Sequence, residues 1–395
     1  MGKEIRKNIY SIIVIFLFIL SIGFAFATFH LIGVLNQPNQ TYVGTIAISN
    51  YEENQYSSII ASNLNDWKDD SNYTISYQNF KVDINFDYFE ADIDLTINQL
   101  EENEINSLVY SITDANKNLF EQNLSTNFTT DIITLIDLDS LLEDIFADIE
   151  IMSVLNNYDL INYFDDGVEN TILSSSTMIN LDNNDVTNIT SKIVSLGIKK
   201  ESRFYLLEEI NGITLTNNQL SIIASGIQAV TMNSNLNAFI FEQNNILPSW
   251  GQEGMNVRIL QTNTYDFSFY NDFDYSMSIN ITKNDDNSIT FELIGYPFVC
   301  SYATTNSEVT EVDFGTIYEN NDTIDETTLG VITIETDDEY TYQLLSQVGV
   351  NGKIIKFEKT ITYPDASTQT IILYYEEYEA TAEIYQENVI SKDGE

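Results

Sequence analysis

The longest apolar stretch comes first. Residues Ile9 to Val34 carry no charge, and the run exceeds the ~20 residues that span a bilayer as a helix. Beyond it the pattern breaks into shorter pieces, some with period two and some near helical spacing. Thr41 to Ser49 alternates like a strand. Glu52 to Trp67, with Ile59, Ile60 and Leu64 apolar, reads as a helix that Ser49 or Asn50 caps. Tyr73 to Tyr77 and Phe80 to Phe86 read as a hairpin about Gln78-Asn79, and Tyr88 to Leu100 as a loop entering another helix. Leu108 to Ile112 is a predicted strand. Asp131 to Val154 is predicted to be helical, with Ile132, Ile136, Leu141, Ile145 and Ile149 on one side and Asp137, Asp139, Glu143, Asp144 and Asp148 largely on the other. Tyr158 to Asp166 and Asn183-Asn184-Asp185 read as turn-rich acidic patches.

From Ser202 onward the order is strand, turn at Asn211-Gly212, helix over Asn218 to Phe239, then strands at Val257 to Phe269, Tyr275 to Thr282 and Ile289 to Ile294. The last two join as a hairpin through Asn284-Asp285-Asp286-Asn287. Gly226 lies mid-helix, where glycine costs about 1 kcal/mol against alanine; it marks a close backbone approach or a break. After Phe298 the pattern is strongly β: Val309 to Tyr318, Val331 to Thr336, Tyr340 to Val348, Lys353 to Tyr363 and Thr368 to Glu377. Asn351-Gly352 reads as a two-residue hairpin turn, and Pro364-Asp365-Ala366 as another turn. The tail's many tyrosines either pack across strands or offer rings for sugars to stack on.

Composition narrows the function classes. The chain has 395 residues, 43% of them hydrophobic, with 60 acidic and 16 basic residues and a net charge of -44. Nucleic acid needs phosphate neutralisation by Lys and Arg, so it is excluded as a partner. The charge suits a body dissolved in a salty medium outside a cell. One cysteine, Cys300, rules out an internal disulfide framework and reads as a small buried hydrophobe. The one histidine, His30, lies in the N-terminal apolar run, so no Ser-His-Asp triad or histidine-ligated zinc is available beyond it. No cofactor or metal site is expected. Asp137-Leu138-Asp139-Ser140 lacks the glycine of a calcium loop and reads as a solvated helix face. Lys3, Arg6 and Lys7 precede the apolar run, and no basic residue follows until Lys68. The positive-inside rule then places the N-terminus in the cytoplasm and the rest outside, as a single-pass membrane protein. An uncleaved anchor is favoured over cleavage after Ala25-Phe26-Ala27.

The order of pieces after Ser202 resembles the VanW-like family of bacterial envelope proteins. The residues carrying the likeness are Arg203-Phe204-Tyr205-Leu206, Ala224-Ser225-Gly226-Ile227-Gln228, Asn237-Ala238, Leu247-Pro248-Ser249-Trp250 with Gly254, Asn256-Val257-Arg258 and Asp266-Phe267-Ser268-Phe269. The family's triple-glycine, isoleucine, cysteine, glutamine signature appears here with one glycine and no cysteine. Its histidine-containing segment is replaced by Phe241-Glu242-Gln243-Asn244-Asn245. Thr41 to about Asn106 resembles the peptidoglycan-binding module that precedes VanW-like regions, and the residues around Gly349 to Lys353 and Tyr374 to Tyr378 resemble the β tail that follows them.

The expected fold class is therefore α+β: a cytoplasmic tail (1–8), a transmembrane helix (9–35), two small α+β lobes (41–106 and 107–184), a VanW-like α+β domain (185–299) and a C-terminal antiparallel β tail (300–395). The resemblance implies a binding or scaffold role at the cell envelope, with peptidoglycan or an envelope protein as partner. Binding contacts are expected at Ser225, Gly226 and Gln228, where the family signature falls; alternatively these residues pack the helix against the strands. The competing reading is a wall-modifying enzyme with a carboxylate pair, which needs no histidine.

Overall fold

The structure, a computed structural model, describes residues 40–392. The expected cytoplasmic tail and transmembrane helix lie outside the described residues. Among the described residues no helix is long and apolar enough to cross a membrane. The class is mixed α+β, with most sheets antiparallel. The chain divides into two units, one of residues 40–125 with 136–163, the other of 126–135 with 164–392.

The first unit holds strands β1 (Tyr42–Val43), β2 (Ile46–Ala47), β3 (Asn72–Tyr77), β4 (Phe80–Asp83), β5 (Glu90–Ala91), β6 (Ile105–Asn106), β7 (Tyr110–Ser111) and β8 (Leu155–Asp159). Its helices are α1 (Tyr56–Asp70), α2 (Ile93–Asn98), α3 (Asp114–Phe128), which ends in the second unit, and α4 (Leu138–Glu150). The strand expected over Thr41 to Ser49 is instead a tight hairpin, because Gly44 takes a left-handed φ of 53° and turns β1 back onto β2. The β3–β4 hairpin is as predicted, with Gln78 at φ 54° in the turn. Strand β8 pairs in parallel with β3, so 155–159 joins the sheet of β3 and β4, and residues on both sides of position 106 lie in one unit. Trp67, Tyr73 and Phe86 pack with ring centroids 4.9–6.2 Å apart. The Trp67 indole and the Tyr73 hydroxyl both donate to the Ser153 carbonyl, at 2.8 and 3.0 Å.

The single helix expected over 131–154 is interrupted. A single helical turn, Thr130–Ile133, precedes Asp137, which accepts from the Ser140 amide at 3.0 Å and so caps α4. The acidic side of α4 is not left wholly to solvent. Asp148 accepts from the Tyr158 hydroxyl at 2.8 Å and Asp144 from the Tyr163 hydroxyl at 2.7 Å. Burial, and then these carboxylates, raise both phenols above their ordinary range.

In the second unit the strands are β9 (Thr171–Met178), β10 (Ser195–Ile198), β11 (Ser202–Tyr205), β12 (Asn237–Ile240), β13 (Glu242–Gln243), β14 (Val257–Arg258), β15 (Ser268–Asn271), β16 (Met277–Lys283), β17 (Ile289–Gly295), β18 (Ser301–Val312), β19 (Thr316–Asn320), β20 (Ile332–Glu335), β21 (Glu339–Gln347), β22 (Gly352–Thr362), β23 (Thr368–Tyr378) and β24 (Glu383–Ser391). Helix α5 (Asn183–Thr190) occupies the acidic stretch read as a turn, capped by Asp182 onto the Asn184 amide. Helix α6 (Asn217–Met232) is buried along nearly its whole length and starts in a capping box between Thr216 and Gln219. The sheet β10-β16-β17-β9 and the sheet β11-β15-β12 are both antiparallel. Helix α6 ends at Met232, short of the expected Phe239. Beyond it the chain turns through Asn233, Ser234 and Asn235 and re-enters as β12.

The tail forms β18-β22-β23 and β19-β24-β21-β20. Asn351-Gly352 is not a hairpin turn. Strand β22 pairs with β18 and β23, not with β21. Gly352 lies opposite Val312, and a Cβ there would meet the backbone of Tyr378 and Ala380 at 2.6 Å, so this glycine serves close strand approach. The Asn351 side chain instead accepts from the Phe314 amide at 3.0 Å. Residues 300–392 remain joined to the α6 region. Met232, Ile355, Phe357 and Tyr378 form one buried cluster. Thr304 of β18 caps the end of α6, its hydroxyl donating to the Met232 carbonyl at 3.0 Å and its amide to Asn233 Oδ1 at 2.8 Å.

Candidate functional site

Ser225, Gly226 and Gln228 sit at the centre of α6, each fully buried or nearly so. The helix presents Ser221, Ser225 and Gln228 on one side, as spacings of four and three dictate. Each meets a backbone amide of the 256–259 segment. Ser221 Oγ accepts from Ile259 at 2.9 Å, Ser225 Oγ from Val257 at 2.9 Å and Gln228 Oε1 from Asn256 at 3.4 Å. These side chains thus satisfy the amides of a strand that has little sheet of its own, since β14 pairs only with the two-residue β13. Gly226 faces the sheet. A Cβ built there would lie 2.2 Å from Phe291 Cε2 on β17, and α6 passes the position unbroken. Of the two readings of this glycine, close approach is the observed one. In these positions the three residues hold α6 between the strands and the 256–259 segment, and none of them faces solvent.

Gln228 leads into a polar cluster that the sequence reading did not single out. Glu376 of β23 is fully buried. Its Oε2 accepts from the Gly254 amide at 3.0 Å and from the Tyr378 hydroxyl at 2.6 Å. Oε1 of Glu376 is buried without a hydrogen-bond partner. Burial pushes the Glu376 carboxyl above its usual range, against the lowering by its two donors. Burial likewise raises the Tyr374 phenol, whose ring stacks on Phe357 at 4.9 Å. Gly254 takes a φ of 77°, and a Cβ there would lie 2.9 Å from Phe357, which fixes the loop closely over the cluster. A period-two reading of β23 holds the missing signal. Tyr374, Glu376 and Tyr378 share one face, so a carboxylate on an aromatic inward face was legible. The same reading of β22 puts Lys359 on the face of Ile355 and Phe357.

Two clefts open beside this cluster. One, of about 640 Å³, is lined by Gln243, Asn245, Ile354, Tyr375, Glu377 and Glu379, with Tyr378 at its base. Its walls are braced: the Glu377 amide donates to Gln243 Oε1 at 3.1 Å, and Asn245 Nδ2 donates to Glu379 Oε1 at 2.6 Å. Tyr375 is half exposed, and Glu377 and Glu379 are both exposed. The second cleft, of about 490 Å³, is lined by hydroxyls and amides of Ser175, Ser176, Asn233, Thr304 and Asn306 over Phe357. Among the described residues no group of three or more His, Cys, Asp or Glu is placed to hold a metal ion. Cys300 is buried, and its thiol is pushed up to about 11 by that burial.

No family model matches the chain, and no curated protein matches it. Among solved structures it is similar to one titled "IgA1 Protease G5 domain structure", at 16% identity over 22% of this chain and 88% of that chain, with a TM-score of 0.16. A likeness at that score carries no argument about this protein.

Proposed function

We propose that this is a membrane-anchored, extracellular VanW-like protein that binds cell-wall material or an envelope partner without transforming it. The observation that carries the reading is the cleft of about 640 Å³. Carboxylates of Glu377 and Glu379, amides of Gln243 and Asn245 and the ring of Tyr375 line it together, a mixture suited to hydroxyl-bearing and amine-bearing ligands. The order of motifs from Arg203 to Phe269, the apolar run at 9–35 and the net charge of -44 support the location. On this reading the segment holding Ser225, Gly226 and Gln228 acts from behind the cleft, by fixing α6 and the loop at Gly254, and contact with the ligand passes to the β13 and β23 side chains.

The test is co-sedimentation of the full chain with purified wall sacculi, alongside incubation with labelled muropeptides. Retention on sacculi that falls at least several-fold in Tyr375→Ala and in Glu377→Gln is the expected result. A second reading, a carboxylate-pair hydrolase, draws on the presence of Glu377 and Glu379 in one cleft. Turnover of muropeptides without retention would put that reading first.

A further inference from the structure

Lys359 is 1% exposed, on the inward face of β22. Its Nζ donates to the carbonyls of Ser234 and Leu236, at 2.7 and 2.6 Å. Those carbonyls belong to the residues on either side of Asn235. Asn235 is itself buried, and its Oδ1 has no hydrogen-bond partner. Its Nδ2 donates to Asp272 Oδ1 at 3.1 Å and to Asn271 Oδ1 at 3.3 Å. The rings of Phe239 and Tyr302 flank the amine, with centroids 5.9 and 5.8 Å from Nζ. An ammonium has three donors, and two are in use here. A buried carboxamide oxygen left unpaired keeps its desolvation penalty with nothing to offset it. A lysine serving only to cap the turn after α6 accounts for neither the unpaired oxygen nor the carboxylate placed on the nitrogen beside it.

We propose that Lys359 and Asn235 form an intramolecular amide bond, with Asp272 as the proton carrier. Nζ, as the neutral amine, attacks Cγ of Asn235. One bond forms, between Nζ and Cγ, and one breaks, between Cγ and Nδ2. The Asp272 carboxylate takes a proton from the attacking nitrogen and delivers it to Nδ2, with which it is already in contact. Nδ2 leaves as ammonia, and nothing is oxidised or reduced. The apolar, ring-lined surroundings favour the neutral amine the step needs: burial lowers the Lys359 ammonium to about 7, with Asp272 opposing in part. The product ties the turn between α6 and β12 to β22 covalently. A pull transmitted along the chain would then bypass everything from β12 to β21.

The test is the intact mass of the purified full chain under denaturing conditions, followed by peptide mapping. The expected result is a deficit of about 17 Da, one ammonia, from nucleophilic displacement at the carboxamide, and a branched peptide containing both Asn235 and Lys359. Lys359→Arg keeps a buried cation able to donate to both carbonyls but is not nucleophilic; it should carry no deficit, whereas ammonia loss at any other asparagine would survive it. Asp272→Ala, at an exposed position, should also abolish the deficit. A wild-type mass equal to that of the sequence, with the two residues recovered on separate peptides, overturns the proposal. So does a deficit that persists in Lys359→Arg, and a deficit that persists in Asp272→Ala removes Asp272 from the step.

Discussion

Glu376 shows how one buried residue shapes the pH response of the fold. Its folded value lies above its ordinary 4.5, with burial the first cause. Between the two values the unfolded chain has lost the proton that the folded chain keeps. The folded state then binds more protons, so stability falls as pH rises through that window. The contribution is fully present below the unfolded value and is lost above the folded one. Glu376→Gln keeps an acceptor for the Gly254 amide and has no carboxyl to ionise. Urea midpoints of the two proteins, compared at a series of pH values, should diverge as pH rises, with the glutamine variant the more stable at neutral pH. Parallel curves would show that Glu376 does not titrate with folding.

At the level of elements, α6 is held by three different surfaces at once. Its serines and Gln228 satisfy the amides of 256–259, Gly226 lets β17 approach, and Thr304 caps its end. The glycine provides a test. Alanine there gains about 1 kcal/mol of helix propensity, while forcing a methyl into a packed core costs about 1–3 kcal/mol. With the new Cβ 2.2 Å from a fully buried ring, overpacking decides the sign. Gly226→Ala should lower the urea midpoint by an amount corresponding to about 1–2 kcal/mol net. An unchanged or raised midpoint would mean that Phe291 and β17 yield freely and that the approach is not tight.

Across the whole molecule, 60 acidic residues face 16 basic ones. The ion pairs that form, such as Lys353 with Glu253 at 2.5 Å and Lys392 with Glu335 at 2.7 Å, are partly exposed and worth little individually. Self-repulsion of the folded state is the larger effect. Raising salt from about 0.01 M to about 1 M shrinks the Debye length from roughly 30 Å to roughly 3 Å, so the melting temperature should climb with sodium chloride over that range. A melting temperature that falls with salt would indicate that local ion pairs dominate instead.

The local pattern along the chain was enough to determine the α+β class, the β3–β4 and β16–β17 hairpins, the burial of Cys300 and the special status of Gly226, because periodicity and turn residues act over a few positions. Partners separated by long stretches of chain were beyond it. That β8 lies parallel to β3, that β22 joins β18 rather than β21, and that Asp144 and Asp148 meet tyrosines depend on contacts between residues far apart in the chain, which no local propensity encodes. The cleft of Gln243, Tyr375 and Glu377 and the meeting of Lys359 with Asn235 are of that second kind. Each side chain was visible by type and face in the sequence, but only the packing of β22 and β23 against the end of α6 brought them together, because burial and hydrogen bonding are satisfied by the folded neighbourhood and not by the order of residues.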